Sequence, residues 1–316
     1  MRIKFAAHRS FCVKFVLFFI TIVALPGTGL AAEKIPVFVS IAPQKYFVQK
    51  IGSQWVSVQV MVQPGANPAT YEPKPRQMAD ISKTKVYFAI GVPFEDIWLD
   101  KITAANPRMT VVHTDRGIAK VPMAAHYHHG EDPLTEGLEH HEQGGDHAAA
   151  GRVHQGLDPH IWLSPPLVKI QIQSVLATLI AIDPIHQDAY ESNYRRFAAE
   201  IDQLDGRLRQ VFQGYEGLRF IVFHPAWGYF ARTYGIEQVP IEIEGKSPKP
   251  AQLKGLIDKA RGAGIKVVFV QPQFSTRSAQ LVSREIDGQV AFADPLAEDW
   301  ATNLTAVARS FKAALK

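Results

Sequence analysis

Residues 184–215, PIHQDAYESNYRRFAAEIDQLDGRLRQVFQGY, place Tyr190, Tyr194, Phe197, Ile201, Leu204, Leu208 and Val211 at steps of three or four. That spacing puts one apolar stripe along a helix and leaves the charged residues on its other face. Residues 165–182 have the same helical periodicity, and Ser164-Pro165 before them reads as an N-cap followed by proline in the first turn. At ~1.5 Å per residue such a run is a stiff spacer rather than a flexible linker. Whatever flanks it is expected to move little relative to the other side.

On both flanks, short apolar runs alternate with helical patterns. Residues 35–41, 56–62, 85–90 and 109–113 read as strands, with helices at 77–82 and 94–105 among them. The rhythm returns at 219–223, 238–243, 266–270 and 289–293, with a helix at 250–262. Alternation of this kind predicts an α/β chain of two similar lobes with mainly parallel sheets. The boundaries are an N-terminal lobe over 33–183, a linking helix over 184–215 and a C-terminal lobe over 216–316.

Residues 1–32 are expected to be a leader rather than part of the fold. Arg2, Lys4, Arg9 and Lys14 precede an apolar run over 15–25, then Pro26-Gly27 and small residues up to Ala31 and Ala32, the order of a cleaved secretory signal peptide. The apolar run is shorter than the ~20 residues that span a bilayer, and no second transmembrane candidate is read further on. Cys12 lacks the small and aliphatic residues of a lipid-attachment site before it. Export to the periplasm is therefore expected. Removing 32 of 316 residues leaves 284, and takes four of the 34 basic residues but none of the 30 acidic ones. The mature chain is neutral, which offers no general attraction to nucleic acid. It also loses its only cysteine, so disulfides and thiolate ligands are excluded and metal chemistry must use imidazole and carboxylate.

One region fits no element. Between residues 126 and 154 lie His126, His128, His129, His140, His141, His147 and His154 among Gly, Glu, Asp and Ala. It reads as a loop able to gather metal, or as a solvated insertion. Directly after it, Asp158-Pro159-His160-Ile161-Trp162 fixes a histidine just ahead of the capped helix. A lone histidine would more simply hydrogen-bond the backbone. Two further residues weigh against that: His224, straight after the buried-strand pattern 220–223, and Asp294, straight after 289–293. Ligand-binding residues of open α/β sheets sit at the carboxyl ends of strands. Two imidazoles and a carboxylate suit zinc, and also manganese, iron or cobalt. Trp162, Trp227, Tyr229 and Phe230 beside them read as a dry wall that orients the imidazoles.

Taken in order, several motifs resemble one family. They are Ser40-Ile41-Ala42-Pro43, the turn over 65–75, Gly91-Val92-Pro93-Phe94-Glu95, Asp158-Pro159-His160, His224-Pro225-Ala226-Trp227-Gly228-Tyr229-Phe230, Gln271-Pro272-Gln273 and Asp294-Pro295-Leu296. The chain resembles the zinc- and manganese-specific solute-binding proteins of bacterial ABC transporters, in the cluster of the high-affinity zinc-binding component. The resemblance implies two Rossmann-like lobes joined by one long helix, with metal held between them by His160, His224 and Asp294. It also implies a membrane permease as partner, a monomer, and zinc rather than manganese as cargo, since manganese members tend to carry a carboxylate where His224 stands.

The sequence departs from the family pattern once. Where relatives have a histidine before Tyr-Glu-Pro, this chain has Ala69 before Thr70-Tyr71-Glu72-Pro73. Three readings follow: water completes the metal shell, a histidine of the 126–147 loop enters, or metal binding is lost. The first two are favoured, because three ligands beside a histidine-rich loop are hard to explain in a non-binder; Glu72 could also approach. Against catalysis, no His-Glu-x-x-His, Gly-x-Ser-x-Gly or Gly-x-Gly-x-x-Gly motif is present. Binding of a metal chelate in the same cleft is the alternative function, with a zinc hydrolase behind it.

Overall fold

Eight strands form two sheets in the computed structural model, which describes residues 33–123, 156–242 and 249–314. The expected leader and the histidine-rich loop, with His126, His128, His129, His140, His141 and His147, lie outside the described residues. The first sheet holds β1 (Ile35–Val39), β2 (Val56–Val60), β3 (Val86–Ala89) and β4 (Thr110–His113), in the order β2-β1-β3-β4. The second holds β5 (Arg219–Val222), β6 (Glu237–Pro240), β7 (Val267–Val270) and β8 (Gln289–Phe292), in the order β6-β5-β7-β8. All six pairings are parallel, so the two sheets repeat one topology. β3 and β7 lie inside their sheets and are buried at every position, which is why they read as continuous apolar runs. The edge strand β2 alternates instead.

The first sheet is covered by α1 (Ala42–Gly52), α2 (Pro75–Ile81) and α3 (Pro93–Ala105), and the second by α6 (Gly228–Tyr234), α7 (Pro250–Gly262) and α8 (Arg277–Glu285). Between the sheets run α4 (Pro165–Ile182) and α5 (Gln187–Phe212), and α9 (Trp300–Ala314) closes the chain. Proline opens α2, α3, α4 and α7, where its fixed φ suits the first turn and its missing N–H costs nothing. At 26 residues, α5 is about 39 Å long. It buries Tyr190, Phe197, Ile201, Leu204, Leu208 and Phe212, while Tyr194 and Val211 of the expected stripe are half-buried against the same core.

Three expectations need correction. Ser164 occupies the N-cap position of α4, but its hydroxyl meets Thr233 Oγ1 at 2.9 Å rather than capping the helix. Pro165–Ile182 is, among the described residues, one helix long and apolar enough to cross a membrane, where the sequence reading found none. Of that helix 33% is buried in the protein, along the face that carries Val168, Ile172, Val175 and Leu179. The third concerns the joint between the lobes, which α5 does not make alone. Trp300 at the start of α9 packs edge-on against Phe47 of α1 at 5.2 Å and donates its indole N–H to Trp162 O at 2.7 Å. Further along α9, Phe311 stacks on Phe220 of β5 at 4.2 Å. The larger of two hydrophobic clusters therefore runs through both sheets, the smaller lying within the second lobe around Ile221 and Val268, and the described residues from Lys34 onward form one compact unit.

Candidate metal centre

In each sheet the chain leaves the first strand toward one side and returns on the other, so a crevice opens beyond the carboxyl ends of β1 and β3, and again beyond β5 and β7. His224 stands at the second crevice, two residues past β5. Gln271, directly after β7, clamps its backbone from the neighbouring strand: His224 N–H donates to Gln271 Oε1 at 3.2 Å, and Gln271 Nε2 donates to His224 O at 2.6 Å.

His160 follows no strand among the described residues. A strap carries it, in which Pro122 and Leu157 form an antiparallel bridge and Asp158 N–H donates to Val121 O at 2.8 Å. Tyr229 of α6 fastens this strap to the second sheet, donating its hydroxyl to Asp158 O at 3.0 Å and accepting Val121 N–H at 3.0 Å. The result brings the two imidazoles together, with ring centroids 5.2 Å apart.

Each ring is held at Nδ1 by a buried carboxylate. Asp158 Oδ1 lies 2.7 Å from His160 Nδ1 and also accepts the His160 backbone N–H at 2.9 Å. Both Glu242 oxygens lie 3.2 Å from His224 Nδ1. Burial lowers the pKa of His160, against the pull of Asp158, so the ring favours its neutral, metal-competent form. Gly228 makes room for this arrangement, since a Cβ there would fall 2.9 Å from Asp158 Oδ2 and 3.0 Å from Gln238 Nε2.

The remaining predicted ligands stand apart from the pair. Asp294 follows β8 as expected, but its Oδ1 accepts Gln273 Nε2 at 3.0 Å and Leu296 N–H at 2.9 Å, and it makes no hydrogen bond or ion pair with either imidazole. It is tied to the same neighbourhood through the next residue, Pro295, whose carbonyl accepts the Trp162 indole N–H at 2.7 Å. Ala69 and Glu72 are exposed on the turn after β2, where Ala69 N–H donates to Asn67 Oδ1 at 2.8 Å. Among the described residues, no three His, Cys, Asp or Glu side chains converge as a ready-made cation site.

The aromatic wall is also only partly as expected. Trp162 lies 5.1 Å from the His160 ring, but Trp227 and Phe230 turn into the core against Phe311, and Tyr229 serves the strap. Phe274, which the sequence reading did not single out, stacks on His224 at 5.0 Å and 23°. Asp158, Glu242 and Gln271 were likewise given no role. Asp158 and Gln271 stand inside two of the quoted motifs, and Glu242 falls at the end of the strand pattern 238–243, two residues past β6.

The family model described as "Zinc-uptake complex component A periplasmic" matches residues 37–314. The chain belongs to that family. A structure described as the crystal structure of ZnuA superposes on it with a TM-score of 0.79 at 39% identity, covering 90% of this chain and 100% of that one. A zinc-bound deletion mutant of ZnuA gives a TM-score of 0.78 at 40% identity, covering 90% and 99%. The high-affinity zinc uptake system protein ZnuA of Brucella abortus is 27% identical over 290 residues, 85% of this chain and 86% of that protein. Membership in the zinc-uptake component A family accounts for the two parallel sheets, the long helix between them and the repeated strand order.

Proposed function

We propose that this chain is the periplasmic solute-binding component of a metal ABC importer, which captures a divalent transition metal, zinc, and passes it to a membrane permease. The observation that carries this reading is the pair of neighbouring imidazoles, His160 and His224, each held at Nδ1 by a carboxylate. Such pairing leaves Nε2 of both rings as donors of the kind zinc prefers, and it matches the carboxylate–histidine–zinc arrangement of metal sites. Asp294, on the same carboxyl edge, supplies the third ligand in this reading. It would reach the ion by exchanging its bond to Gln273. The fourth position, where Ala69 presents only a methyl group, is filled by water or by a histidine of the 126–147 loop.

The role is capture and release, not chemistry on a substrate. Equilibrium titration of metal-free protein with zinc, paired with elemental analysis, tests the reading: one ion per chain for the wild type, and at least a hundredfold weaker binding for His160→Ala and His224→Ala. Full retention of affinity in both variants would sink it. Heat with a zinc chelate but none with free zinc would favour the chelate binder instead. Ester hydrolysis by zinc-loaded protein that disappears in His160→Ala would favour an enzyme.

A further inference from the structure

Glu242 is the less expected of the two carboxylates, being 18 residues from its histidine and two residues past another strand, β6. Parallel pairing of β5 with β6 delivers it: beyond the register Val222 to Pro240, Glu242 N–H donates to Phe223 O at 2.9 Å. That bond fixes the Glu242 backbone beside the peptide that leads into His224. Its side chain is 6% exposed and sets both oxygens at 3.2 Å from Nδ1. Phe274 covers a face of the same ring, so stacking and the Nδ1 contact together define the orientation of the imidazole.

An ionised carboxylate can only accept a hydrogen bond, so a neutral His224 facing Glu242 carries its proton on Nδ1 and its free lone pair on Nε2. We infer that Glu242 is a positioning residue for zinc capture: it fixes the tautomer and orientation of His224, so that the metal is taken through Nε2, and its charge strengthens that nitrogen as a donor. In a site that has lost the family histidine at Ala69, stronger donation from the remaining imidazoles offsets a missing ligand. The inference rests on the reading of His224 as a zinc ligand.

The test uses protein carrying 15N-labelled histidine and long-range 15N–1H correlation spectra, without and with one equivalent of zinc. In the wild type, His224 is expected as the Nδ1–H tautomer, with zinc shifting Nε2. Glu242→Gln keeps the shape but loses the charge; it is expected to mix the tautomers and weaken zinc binding tenfold to a hundredfold, with the unfolding midpoint of the metal-free protein as the control for folding. Glu242→Asp, which restores the charge at shorter reach, is expected to recover part of the affinity. An Nε2–H tautomer in the wild type, or unchanged tautomer and affinity in Glu242→Gln, would overturn the assignment of Glu242 alone. An Nδ1–H tautomer with neither ring nitrogen responding to zinc would overturn the ligand reading of His224 beneath it.

Discussion

Replacing Glu95 by glutamine should change the pH dependence of folding more than the fold. Glu95 is the third residue of α3, is 4% exposed, and reaches back to accept Ile90 N–H at 3.0 Å and Gly91 N–H at 2.8 Å. Burial outweighs the Ser40 hydroxyl and the two amide donors, and with the nearby Asp115 it pushes the carboxyl from 4.5 up to about 7. The native state thus binds this proton more tightly than the unfolded chain does. The resulting stability is complete below pH 4.5 and is lost as pH rises through about 7. A shift of that size corresponds to about 3 kcal/mol, an upper figure for a buried group. The assay is urea unfolding of metal-free protein at half-unit steps from pH 5 to 9, for the wild type and Glu95→Gln. Glutamine mimics the protonated acid and cannot ionise, so subtracting the two curves cancels every other titration. The difference should move against the wild type by up to about 3 kcal/mol as pH rises toward about 7, and level off above it. A flat difference, or one that favours the wild type as pH rises, would refute the reasoning.

Trp300→Ala removes the side chain that joins α1, Trp162 and α9, and should cost about 3 to 5 kcal/mol of unfolding free energy by urea titration, against less than 1 for a surface change on α5. Gly228→Ala pushes a methyl group against Asp158, so zinc affinity measured by competition should fall several-fold while secondary structure by circular dichroism stays intact. Ala69→His is expected to tighten zinc binding at least tenfold if the native site is under-coordinated; no change would mean that another group already fills the place. Because burial lowers the pKa of His160 from the ordinary 6.5, its ring in the metal-free protein should take up a proton only below that pH, and 15N spectra that show it protonating at or above 6.5 would contradict this.

The linear pattern of side chains was enough to specify the repeated strand and helix rhythm, the two flanking lobes and the long α5 stripe from Tyr190 to Leu208. These are local periodicities, set by which face of each element must leave water. It also placed His224 and Asp294 at strand ends, because a buried strand terminates where its apolar run does. What no local pattern carries is which distant groups meet. Trp300 meeting Phe47, Ser164 turning to Thr233, and Tyr229 fastening the strap that brings His160 to within 5.2 Å of His224 depend on packing between elements far apart in the chain. The same holds for Glu242. Its carboxylate reaches His224 only because β6 pairs in parallel with β5, and a hydrogen-bond register is a property of two strands together, not of either alone.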